Sequence, residues 1–128
     1  QEFYSKKELK MSNDPFIEKA LAAIRAMDFE IIEGLRDEIK PAHVPTLLQT
    51  WNRDLPWGVK DAYAALLMDQ TGGTVKEFME DALGSPTAET RAYAICILKN
   101  DFNLFSDFLV DGGVDASKVD AAIAAYRS

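Results

Sequence analysis

The chain has 128 residues, 48% hydrophobic and 27% charged, with one cysteine and a formal net charge of −7. That suits one globular domain with a core rather than a disordered chain. It argues against a phosphate-backbone partner, which needs a basic face, and one cysteine rules out an internal disulfide framework.

Residues 1–11 read as an N-terminal extension or a non-native remnant. Gln1–Lys10 is polar and basic-leaning, and Met11-Ser12-Asn13-Asp14 has the form of a natural start. Residues 12–128 then form a single domain. Ser12 or Asn13 can cap a first helix with Pro15 near its first position. Phe16, Ile17, Ala20, Leu21, Ile24 and Met27 give its apolar stripe. A partner helix is expected over Asp28–Ile39, burying Phe29, Ile32, Leu35 and Ile39. Gly34 within it either costs about 1 kcal/mol relative to alanine or marks a close helix crossing. Glu33 and Asp37 lie one turn apart and could share a cation, although a solvated face is the simpler reading of those acids. Lys40-Pro41 breaks the chain.

Val44, Leu47, Leu48 and Trp51 form the next stripe, with Pro45 in its first turn, where a missing N–H costs little. Leu55 precedes Pro56, which ends this helix near 52–54. Asp54 can accept from free N–H groups at the turn. A further helix is expected over Pro56–Gln70, burying Val59, Ala62, Tyr63, Leu66 and Leu67. Thr71-Gly72-Gly73 serves as its C-cap. Val75–Leu83, the turn Gly84-Ser85-Pro86 and Thr87–Asn100 make the next pair. Phe102–Val110 reads as a short aromatic helix, Asp111-Gly112-Gly113 as a turn, and Ala116–Arg127 as the last helix. No β pattern is visible, and no run of about 18 apolar residues suggests a membrane span.

The second pair contains "VPTLLQTW", then "DLPWGVK", then "AYAALL". "TRAYAICIL" and "SKVDAAIAA" echo its later part. In these motifs the chain resembles the HEAT repeat, one of the armadillo-like helical solenoids. The resemblance implies an all-α fold, a right-handed α-α superhelix of about four helical hairpins, with second helices lining a partner-binding concave side. Carried over by position, Lys60, Arg91 and Lys118 would stand in a ladder along that side, with Trp57 and Asp61 near its rim. The alternative role for these cations is to pair with turn carboxylates such as Asp54 and tie adjacent repeats together.

Chemical constellations are sparse. His43 is the only histidine and lies between Pro41 and Pro45. It reads as a surface or helix-start residue, since zinc would need several further ligands and no serine–histidine–acid arrangement can be argued around it. Asp111–Asp115 is not a calcium loop, because Ala122 stands where the bidentate glutamate belongs. Gly72-Gly73 lacks the spacing of a phosphate loop. Cys96 reads as a buried small hydrophobe. Nine acids between Glu77 and Asp120 read as a solvated outer face. Trp51 belongs to the core, whereas Trp57 beside Gly58 reads as a solvent-facing anchor. Trp51, Trp57 and Asp61 are superficially similar to the groove of HEAT-like alkylpurine DNA glycosylases, but those need a basic groove and this chain is acidic.

The functional expectation is therefore a non-enzymatic, cytoplasmic protein-interaction module. It takes a protein partner of basic character through Trp57, Lys60, Asp61, Arg91 and Lys118, with no cofactor, metal, nucleic acid or membrane. The alternatives are a small immunity or antitoxin protein that blocks a basic toxin, an enzyme accessory subunit, or a HEAT-like DNA-repair enzyme.

Overall fold

Asp14 begins the chain's first described helix. Its carboxylate accepts the Phe16 N–H at 2.9 Å, and Pro15 follows where no N–H is missed. The structure, a computed structural model, describes residues 14–128. The 1–11 extension and the candidate caps Ser12 and Asn13 lie outside the described residues, so the observed cap is Asp14.

Among the described residues there are eight α-helices and one small hairpin. Helix α1 is Pro15–Ala26 and α2 is Phe29–Leu35. Met27, at φ 54°, closes α1 in place of the usual glycine. The Asp28 N–H bonds Ala23 O and the Met27 N–H bonds Ile24 O, which is the Schellman pattern. Asp28 then caps α2 by accepting from Ile31 N–H at 3.2 Å. Helix α2 is shorter than its periodicity suggests. The chain loosens into a turn before Pro41, yet Ile39 remains buried.

Helix α3 is His43–Leu48 and α4 is Trp57–Leu67. Helix α5 is Gly73–Ala82 and α6 is Ala88–Leu98. Gly72, expected as a C-cap, sits at the start of α5 with φ 119° and ψ 168°. That backbone conformation is essentially restricted to glycine. Helix α6 ends as α1 does, with Asn100 at φ 53° and the Asp101 N–H on Cys96 O.

The segment expected as one aromatic helix over 102–110 divides. Helix α7 covers only Leu104–Asp107, and strands β1, Leu109–Val110, and β2, Gly113–Val114, pair antiparallel. Asp111 and Gly112 both have positive φ, 47° and 84°. Two such residues make the mirror-image turn that matches strand twist. Helix α8, Ala116–Arg127, is capped by Asp115 through the Ser117 N–H.

The helices pack in two rows. Helix α3 lies against both α1 and α5, while α2, α4, α6 and α8 follow one another in the other row. Contacts of α1 with α2 and α4, of α4 with α5 and of α5 with α6 join the rows. Helix α4 is central, with every residue from Lys60 to Leu67 buried. Phe78, Ile24, Leu47, Leu66 and Ile95 are among the largest fully buried side chains of the core. Trp51 packs at the core's edge, edge-on to Phe78 with centroids 5.4 Å apart.

Two glycines separate open space from backbone need. A Cβ at Gly34 would meet nothing within 4 Å, so no helix crosses there. Gly34→Ala should stabilise the fold by about 0.4–1 kcal/mol. Gly72→Ala should destabilise it by about 1–3 kcal/mol, because its conformation excludes a side chain. Urea unfolding of both variants measures this, and equal effects would contradict the assigned backbone at Gly72.

Candidate functional site

Lys60 sits on α4 two residues before the run Ala62–Leu67, in which the helix carries no charge. It is 4% exposed. Its ammonium donates to Arg53 O at 2.9 Å and to Asp81 Oδ2, on α5, at 3.0 Å. The Trp57 ring lies beneath it, 3.8 Å from Nζ to centroid. Trp57 is thus half-buried with one face taken by an ammonium. Asp54, the expected turn partner, is exposed, and its own N–H bonds Asn52 Oδ1.

Asp61, the next residue, is 8% exposed. Ser85 Oγ donates to its Oδ1 and Thr87 Oγ1 to its Oδ2, both at 2.7 Å. Ser85 Oγ in turn accepts the Thr87 N–H at 3.0 Å. Arg91 on α6 donates to Ser85 O at 2.8 Å through one terminal nitrogen, and to Asp120 Oδ1 on α8 at 3.1 Å through Nε. Lys60 and Arg91 therefore make the same pair of contacts: a carbonyl in the turn before their own helix, and a carboxylate on a later helix.

Lys118 is exposed, and its side chain has no hydrogen-bond or ion-pair partner among the described residues. The structure groups Trp57 and Lys60 with Arg53 O and Asp81, groups Asp61 and Arg91 through Ser85 in a second cluster, and leaves Lys118 outside both. No sequence pattern singles out Ser85, Thr87 or Asp81. Ser85 reads in sequence as a turn residue, and Asp81 as one acid of a solvated face. Asp81 and Asp120 both differ from that reading, since each holds a cation.

Beside these clusters lies a groove of about 490 Å³. Helix α2 and its end contribute Phe29, Glu33 and Arg36. Helix α4 contributes Gly58, Asp61 and Ala65, and α6 with its cap contributes Thr87, Glu89, Thr90 and Tyr93. Three carboxylates thus share the groove with one guanidinium. Arg36 is held by its Nε donating to Ala65 O at 2.8 Å, and it is in no ion pair among the described residues. Tyr93 donates to Glu89 Oε1 at 2.6 Å and stacks on Phe105 with centroids 5.3 Å apart. Burial, then the Glu89 carboxylate, raise the Tyr93 pKa well above the ordinary phenol value, so its hydroxyl stays a donor.

The remaining candidates have local roles. His43 opens α3, stacks on Phe16 at 4.3 Å, and accepts the Lys40 N–H on Nδ1 at 3.0 Å. Cys96 is 2% exposed and borders a smaller cavity of about 180 Å³ with Met68, Phe102 and Phe105. Burial, with Asp101 and Asp107 adding to it, pushes its thiol up to about 11. Among the described residues no group of three or more histidine, cysteine or acidic side chains could hold a metal ion, and no helix is long and apolar enough to cross a membrane.

No known family model, curated protein or solved structure matches this chain.

Two outcomes follow from this geometry. Removing one partner of the Lys60–Asp81 pair, by Lys60→Met or Asp81→Asn, should cost about 3–5 kcal/mol because the other charge is left enclosed. Lys118→Glu should change stability by no more than about 0.5 kcal/mol. Thermal melts of the three variants decide, and equal melts would remove the pair's structural role. Cys96 should resist iodoacetamide at pH 8 in the folded protein and react once unfolded, since only a minute fraction is thiolate there. Rapid alkylation of the native chain, read by mass spectrometry, would contradict its burial.

Proposed function

We propose that this chain is a protein-interaction module, a right-handed superhelix of about four HEAT-like hairpins whose concave side takes a basic protein segment. The carrying observation is the groove between α2, α4 and α6, where Glu33, Asp61 and Glu89 face a single guanidinium. Grooves with one excess sign of charge attract and orient partners of the other sign. The packed pairs α1–α2 and α5–α6, the two helical rows, and the matching contacts of Lys60 and Arg91 support a repeated plan. In this reading Lys60 and Arg91 brace neighbouring hairpins, and the partner meets the groove wall instead. Trp57 is half-buried with one face held by Lys60, and Lys118 lies exposed on α8.

A binding role accounts for the groove better than catalysis does. Asp61 is engaged by two hydroxyls, and the lone His43 lies on another helix, away from the groove lining. General acid–base work requires a group within reach of a substrate proton. An immunity or antitoxin protein that blocks a basic toxin would use the same acidic face, as would an accessory subunit gripping a basic loop. The cytoplasm is the compartment this reading takes, where a free thiol such as Cys96 is the usual state.

The test is affinity capture from the source cell extract. Glu33→Lys with Glu89→Lys reverses charge in the groove, and Glu77→Lys does so on α5, outside it. All three positions are exposed, so the α5 variant should melt within about 0.5 kcal/mol of the parent, while the groove variant, which also removes the acceptor of the Tyr93 hydroxyl, should lose no more than about 3 kcal/mol and stay folded. The groove variant should lose a partner that the α5 variant keeps, and raised salt should weaken the parent's capture. Loss only in the α5 variant would place the working surface on the outer acids.

A further inference from the structure

We propose that Asp61 is the seat for an arginine side chain of the partner, its guanidinium closing on both carboxylate oxygens from the groove. This rests on the groove being the partner surface and names the group it recognises.

Asp61 is a nearly enclosed carboxylate that forms no ion pair among the described residues. Lys60 is paired with Asp81 and Arg91 with Asp120, while Arg36, in the same groove lining, uses only its Nε in a hydrogen bond, to Ala65 O, and forms no ion pair with Asp61. Enclosing a charge without a counter-charge is costly, and hydroxyl donors offset only part of that. The acceptor geometry narrows what would complete the site. A carboxylate has about four lone-pair sites. Ser85 takes one on Oδ1 and Thr87 one on Oδ2, which leaves one on each oxygen. Two parallel N–H donors fit that vacancy, and guanidinium presents them in one plane. An ammonium is a point charge and fills such a pair less well.

The walls suit the same planar cation. Tyr93 and Phe29 border the groove, and Phe29 is 43% exposed. Aromatic faces favour a flat cation over a hydrated ammonium. Tyr93 is held in place by its bond to Glu89 and its stack on Phe105. Glu33 and Glu89 add attraction at the exposed mouth, outweighing Arg36 by number.

The probe is the blocked tripeptide acetyl-Gly-Arg-Gly-amide, titrated into isotope-labelled protein and followed by two-dimensional NMR. Its lysine and citrulline counterparts serve as charge and shape controls. The arginine peptide should give saturable shifts at Asp61, Ala65, Thr87 and Tyr93. The lysine peptide should bind at least about fivefold more weakly, and the neutral citrulline peptide should give no saturable shift. Asp61→Asn should lower arginine-peptide affinity by at least about tenfold. Since that variant also loses an acceptor for Ser85 or Thr87, a second measurement uses the parent protein alone: nuclear Overhauser contacts between the arginine δ-methylene and the Tyr93 ring. Equal binding of arginine and lysine peptides overturns the proposal. So do shifts mapping outside the groove, or no saturation up to about 10 mM, the weak end for a single side chain. If the peptide fails while the groove-reversed variant still loses its captured partner, the arginine seat is wrong and the interaction module stands. If both fail, the groove is not the partner surface.

Discussion

Lys60 places an ammonium where water scarcely reaches, and it is tolerated there because Asp81 and Arg53 O receive it. That one condition constrains much of what surrounds it. It sets α5 against α4 and draws the loop before α4 inward. It also turns the Trp57 ring under the cation. A charge pair enclosed this way adds little net stability by itself. Its consequence is positional, since helices that slid past one another would leave a bare charge.

Ser85 extends the same logic to the next helix. Its carbonyl accepts from Arg91, and its hydroxyl donates to Asp61 while accepting from Thr87. A single buried residue therefore ties α4, the turn before α6, and α6 together. A buried network of this kind holds its members in place. The groove inherits that rigidity. Its floor is α4, and Asp61 reaches it as part of the network rather than as a loose surface acid.

Helix α4 can be the floor because its residues are small. Ala62, Ala64 and Ala65 let neighbours approach from both rows, while Tyr63, Leu66 and Leu67 fill the core. A helix buried on all sides shows little one-sided stripe, and the stripe Val59, Ala62, Tyr63, Leu66 and Leu67 read from the sequence leaves out Ala64 and Ala65, which are buried as well. The alanines were legible, but their meaning, contact with both rows, was not.

The sequence by itself determined the helical class, the order of the helices and most of their apolar faces. Those depend on spacing of three and four residues and on nearby caps, all local properties. Some local signals compete with their surroundings. Asp111-Gly112 between Leu109-Val110 and Gly113-Val114 is a hairpin turn signal, hidden by the phenylalanines that suggested a helix. Gly72 shows that a glycine marks a boundary without saying which helix it serves. Only the tertiary structure decided which charges are enclosed and with whom. Lys60 meets Asp81 across 21 residues, Asp61 meets Ser85 across 24, and Arg91 meets Asp120 across 29. Nothing local distinguishes Asp81 from Glu80 or Asp61 from Asp54. A carboxylate has the same chemistry in every context, and packing alone determines whether it faces water, a cation or a groove.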